Sequence, residues 1–245
     1  QSASGPDADT LLGRTNAPVV VAGTWVYFEF KATVGASGSY ELKVNGTSVL
    51  SDTGVDTRSE SQASSHYSQI VLRSDDSTDG GSGSDSHIKD LIVMADTGSS
   101  NNDFIGDYEV VYLAPDGDDT FNWTASTGSV GYSLIDELTA DDTDYITADS
   151  TPPSASTFTL EDLDSKYTTV AGCMTIFRAA KQASGTANIQ ASLDSAGSLD
   201  SGAAHALALT SETYYTDISE TDPDASAAWT PTTINAMKLK LDRTA

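Results

Sequence analysis

Four kinds of residue in this chain have side chains suited to chemistry. The densest group is the acidic stretch SDDSTDGGSGSDS, residues 74–86. There Asp75, Ser77, Asp79 and Gly80 follow the opening of a DxDxDG loop, whose carboxylates hold a hard cation through oxygen. The twelfth position is Ser86 rather than a bidentate Glu, so Asp85 or Asp90 would have to supply the missing oxygen. Asp75, Asp79 and Asp85 are therefore the candidate Ca²⁺ ligands, and no other cofactor is indicated. The ordinary alternative is an exposed acidic loop, because a Gly-Ser run preorganises nothing.

A second group could serve glycoside hydrolysis, which needs two carboxylates facing each other across a cleft. With 36 acidic residues a chance pair is close to unavoidable, so abundance carries no specificity. The strand-borne candidates are Glu29 near Lys31 and Glu41 near Lys43. A Glu followed two positions on by Lys more often marks a solvated strand face. The three histidines, His66, His87 and His205, lack the HxH or HxxxH spacing of a zinc site. Cys173 is the single cysteine and sits in the apolar run from Val170 to Phe177, which reads as a buried free thiol. With no GxSxG elbow, P-loop or strand-borne GxGxxG, the chain reads as a non-enzyme.

Aromatic residues form the last group. Tyr27, Tyr67, Tyr112, Tyr132, Tyr214 and Tyr215 could stack on the CH faces of sugar rings. They could equally fill a β core that has only 6 Phe and 3 Trp. Trp123 and Trp229, each beside a turn or short helix, read as domain-packing anchors.

The elements that must position these residues are strands. The chain has 28 Asp, 33 Ser, 30 Thr and 19 Gly, a mixture that competes with or terminates helices and favours short strands joined by polar loops. Residues 23–34, GTWVYFEFKATV, alternate so that Val26, Phe28, Phe30, Ala32 and Val34 share one face. This predicts a half-buried strand with the apolar set inward. Asn45-Gly46 supplies the two positive φ angles of a type I′ turn, so residues 39–51 should form a tight hairpin. Further strands are expected at 69–73, 88–94, 108–113, 157–160, 167–179, 187–193, 206–209 and 214–218. Thr230-Pro231 predicts a capped helix over about residues 231–236. A last strand should follow, in which Met237, Leu239 and Leu241 alternate with Lys238, Lys240 and Asp242.

These elements imply an all-β, antiparallel chain of two β-sandwich, jelly-roll-like domains. Residues 1–118 form the first, 119–156 a linker-rich connection and 157–245 the second. No apolar run approaches the roughly 18 residues of a membrane span. The start at Gln1, followed by a strand pattern within about twenty residues, reads as a processed or truncated amino terminus.

Twelve basic residues against 36 acidic ones give a net charge of −24 and a pI near 4.1. Such a surface repels phosphate backbones and anionic headgroups, which argues against nucleic-acid and membrane partners. The same charge suits a saline setting, where a Debye length of about 3 to 8 Å weakens repulsion between neighbouring acidic subunits.

Two stretches carry a resemblance. GTWVYFEFKATVGASGSYELKVNGTSVLS, residues 23–51, resembles the carboxy-terminal half of a concanavalin A-like or laminin G-like lectin sandwich. HIKDLIVMADTGSSNNDFIGDYEVVYLAPDGD, residues 87–118, resembles the closing strands of that domain in tailed-phage virion proteins, NNDFIGD at 101–107 being its most particular piece. YSLIDE at 132–137, GAAHAL at 202–207, ETDP at 220–223 and the segment from Trp229 resemble the second module of the same proteins. The family supplies several strands before the GTW strand, so the resemblance implies a first sandwich incomplete in this chain or completed by residues outside it.

What the resemblance implies is a virion structural protein, a tail, fibre or capsid-decoration component with a lectin-like domain. Its partners would be other virion proteins, copies of itself and host-surface glycans, and no catalytic residue transfers. The alternatives are a secreted carbohydrate-binding module and a sandwich-fold glycanase.

Overall fold

The computed structural model describes residues 11–15, 19–58, 87–95, 100–139, 141–148, 151 and 154–245. Every strand pairing is antiparallel, and the expected all-β class holds. The chain divides into two compact units, Gln1–Val110 and Val111–Ala245.

Among the described residues, the first unit has one three-stranded sheet in the order β1-β2-β3, with β1 Phe28–Thr33, β2 Gly38–Val44 and β3 Thr47–Val55. Asn45 and Gly46 join β2 to β3 with φ of 47° and 75°, the pair of left-handed angles that matches strand twist in a two-residue hairpin. At the other end, the buried Thr57 hydroxyl donates to the Thr33 carbonyl at 2.8 Å and accepts the Gly35 N–H at 2.9 Å. That bond pair ties down the β1–β2 connection.

The second unit follows in chain order. β4 is Pro115–Thr120, β5 Thr124–Ala125, β6 Ile146–Thr147, β7 Ser154–Leu160 and β8 Ile176–Ala179. β9 is Asn188–Ser195, β10 Ser198–Ser201, β11 His205–Ala206, β12 Glu212–Tyr215, β13 Thr221–Asp222 and β14 Ala227–Ala228. The helix α1, Pro231–Ala236, leads into β15, Lys238–Arg243. The main sheet runs β10-β9-β15-β7-β4, with β11 also paired to β9. Its register sets Leu239 beside Phe158 and Leu193, and Leu241 beside Ser156 and Ala191, so one face is apolar. Lys238, Lys240 and Asp242 alternate onto the opposite face, as the period of two requires.

Trp123, Phe158, Ile189, Ala191, Leu239 and Leu241 form one core cluster on that face. Leu193, Trp229, Ile234 and Met237 form a second. Helix α1 is held by a capping box at Thr230, whose hydroxyl accepts the Thr233 N–H while the Thr233 hydroxyl accepts the Thr230 N–H. The cap fixes where Ile234 and Met237 enter the core.

The structure differs from the sequence reading in several places, and of the strand expected at 206–209 only Ala206 lies in one, as the end of β11. The alternating face of β1 was expected inward, yet Phe28 and Phe30 are 52% and 65% exposed. Alternation states which residues share a face and not how far burial extends across it. Residues 88–94 and 108–113 are not strands. Asp90 takes a φ of 56°, which breaks the extended backbone at its third residue. Its carboxylate accepts the Val110 N–H at 3.2 Å, where a strand pair would have used backbone.

A further difference concerns the linker. Residues 115–160 contribute β4 to β7, and the Ser156 hydroxyl accepts the N–H groups of Asn122 and Trp123 while the Trp123 indole donates to the Ser154 carbonyl. Asp118 accepts the Gly131 and Tyr132 N–H groups, both at 2.8 Å. An acidic, Thr-rich composition suits a solvated strand edge as well as a linker. Another is the strand expected over 167–179, of which only β8 and a single bridge from Cys173 to Ser219 form. The expected strand at 69–73 lies outside the described residues.

Candidate functional site

The polar face of the first sheet shows why Glu-x-Lys occurs twice. Pairing of β1 with β2 places Glu29 opposite Lys43 and Lys31 opposite Glu41, with Phe30 opposite Leu42 between them. Each Glu therefore stands opposite a Lys in the ladder, an alternation that keeps like charges apart on adjacent strands.

Residues 103–106 lie over this face. The Lys43 ammonium stands 3.6 Å from the centroid of the Phe104 ring, and that of Lys31 at 6.0 Å. Lys31 also pairs with Asp103 at 3.0 Å. The Lys31 ammonium, and then the Phe104 N–H, hold the Asp103 carboxyl below its usual range. Glu29 accepts the Gly106 N–H at 2.6 Å. The two lysine stems and the ring thus pack on the polar face, while on the other face Tyr40 and Val44 of β2 are buried and Phe28 and Phe30 of β1 are exposed. Of Glu29 and Glu41, the strand-borne candidates for hydrolysis, Glu29 is an anchor for Gly106 and Glu41 stands opposite Lys31 in the strand register.

The candidate cation ligands Asp75, Asp79 and Asp85 lie outside the described residues, as do His66 and Tyr67. Asp90, the further oxygen considered for that loop, pairs with Lys89 at 2.9 Å. His87 is exposed, whereas His205 packs with Phe177 and Tyr214, at 5.9 and 5.1 Å between ring centroids. Tyr214 stacks on Phe177 and Tyr132 packs against the core, while Tyr112 and Tyr215 are exposed.

Cys173 is half-buried against the Leu193–Trp229 cluster. Desolvation, with the Asp200 and Asp222 carboxylates, pushes its thiol up to about 12, so it is a thiol and not a nucleophilic thiolate at neutral pH. Trp123 and Trp229 are 7% and 3% exposed, and both serve the core of the second unit.

No family model, curated protein or solved structure matches the chain.

What the first sheet offers is a surface. On the face away from Phe104, Phe28 and Phe30 are exposed on β1, the end strand among the described residues, and Trp25, 66% exposed, lies just before it. The alternation predicts Phe28 and Phe30 inside, and burial does reach their β2 neighbours Val44 and Tyr40 on that face but not the two rings themselves.

Proposed function

We propose that this chain is a structural component of a tailed-phage virion, a tail, fibre or capsid-decoration protein that works by binding copies of itself and other virion proteins. The observation that carries the reading is the exposure of Phe28 and Phe30 on β1, the end strand of its sheet among the described residues. Large apolar side chains grouped on an open strand mark a surface that is completed by another protein. The ordered resemblance of residues 23–51, 87–118 and 132–245 to phage virion modules supports the same conclusion. Its location would be the virion. Immunogold labelling of purified particles with antibodies to this chain tests the reading. Regularly placed label is expected, and particles that carry none overturn it.

The exposure of Trp25, Phe28 and Phe30 within six residues also favours a second reading, a carbohydrate-binding module in which these rings stack on sugars. On a glycan array, binding that is lost in W25A would favour this reading. Absence of binding would remove it.

A further inference from the structure

We propose that the outer edge of β1 pairs with β1 of a second copy, antiparallel and about a two-fold axis through Phe30. This names the surface for the self-assembly proposed above and rests on that reading for its setting alone.

The backbone parity of β1 comes first. Asn45 donates its N–H to the Tyr27 carbonyl at 3.0 Å, and Tyr27 donates to the Asn45 side-chain oxygen at 3.1 Å. Tyr27 therefore turns its backbone groups toward β2, and the alternation of an antiparallel ladder gives Glu29, Lys31 and Thr33 the same orientation. The N–H and C=O groups of Phe28, Phe30 and Ala32 then point away from β2. Among the described residues no strand pairs with that side of β1.

The side chains select both the partner and the register. A two-fold axis through Phe30 sets Phe30 opposite Phe30, Phe28 opposite Ala32, and Glu29 opposite Lys31 in both directions. The outward backbone groups of one copy meet those of the other at each of these apolar positions. Moving the axis to Glu29 or Lys31 would set like charges face to face and would bring inward-pointing backbone groups to the centre. The molecule already contains the proposed side-chain match once, there with the charged residues at the hydrogen-bonded positions. On its inner edge Glu29-Phe30-Lys31 lies antiparallel to Glu41-Leu42-Lys43, matching Glu to Lys and Phe30 to Leu42. A second β1 would place the same Glu-apolar-Lys pattern on the outer edge. The charge complementarity is thus to the strand itself, and the join would gather four phenylalanine rings on one face of a continuous six-stranded sheet.

The test is the oligomeric state of the full chain by sedimentation equilibrium, at an ionic strength that screens its 24 net charges. Concentration-dependent dimers are expected. Phe30 is exposed in the single chain, so F30K and F30E should keep the wild-type melting behaviour. Each should weaken dimerisation by about tenfold or more, because each sets like charges face to face across the axis. An equimolar mixture of F30K and F30E should regain dimers, since Lys then faces Glu. L199K, at an exposed apolar position of the second unit, should dimerise like the wild type. A wild-type chain that stays monomeric, dimers indifferent to F30K, or a mixture no better than its components would each overturn the pairing. None of these outcomes alters the particle labelling on which the virion reading stands.

Discussion

The Lys43 ammonium sits 3.6 Å above the Phe104 ring, joining residues 61 positions apart in the chain (104 − 43 = 61). Together with the Lys31–Asp103 pair and the Glu29–Gly106 bond, this contact holds residues 103–106 against the sheet. Phe104→Leu keeps much of the volume and removes the π face, so it should cost about 0.5–1 kcal/mol. Phe104→Ala should cost more. Hydrogen exchange at the Gly106 N–H reads the effect, and unchanged protection in F104A would refute this account.

Asp222 is 1% exposed and has no cationic partner among the described ion pairs. Burial pushes its carboxyl up, but bonds from the Ser195 hydroxyl, the Asp224 and Ala225 N–H groups and the Thr233 hydroxyl outweigh burial and leave it below the usual carboxylate range. A carboxyl held low in the folded state stabilises the protein above the unfolded carboxylate pKa, and that contribution is lost as pH falls through the folded value. Asp222→Asn should therefore cost about 1.5–3 kcal/mol at pH 7 and progressively less in acid. Urea midpoints across pH, read by tryptophan fluorescence, check both the cost and its sign.

The capping box at Thr230 should be worth about 1 kcal/mol, the usual cost of replacing a Thr cap by Ala. Thr230→Ser should retain most of it. A T230A chain with an unchanged urea midpoint would show that the packing of Ile234 and Met237 holds α1 without the cap.

Cys173, its thiol pushed up to about 12, should alkylate slowly with iodoacetamide at pH 8 in the native chain and readily after unfolding in urea. Intact-mass spectrometry over time gives both rates. Equal rates would contradict its packing against the Trp229 cluster.

Self-association should strengthen as salt rises from low to moderate, because each copy carries 24 net negative charges whose mutual repulsion is screened before the close Glu29–Lys31 pairs are. Dissociation constants measured across a salt series test the direction. Association that improved steadily as salt was removed would count against it.

Residue order alone determined what is settled within a few positions. Asn45-Gly46 meets the dihedral demands of its turn, and Thr230-Pro231 begins its helix, for reasons held inside about four residues. The deficit of helix formers likewise dictated an all-β chain. The alternation of β1 also told which side chains share a face, because the strand period of two is local.

Only the tertiary structure decided how far burial extends across the sheet, since on the apolar face Tyr40 and Val44 of β2 are buried while Phe28 and Phe30 of β1 are exposed. Likewise, the acidic Thr-rich stretch near residue 119 reads equally as linker or strand until β7 offers its backbone and Ser156 accepts the Asn122 and Trp123 N–H groups. Turns and caps are encoded by neighbours in sequence. Strand pairing and burial are encoded by partners whose distance no local pattern records.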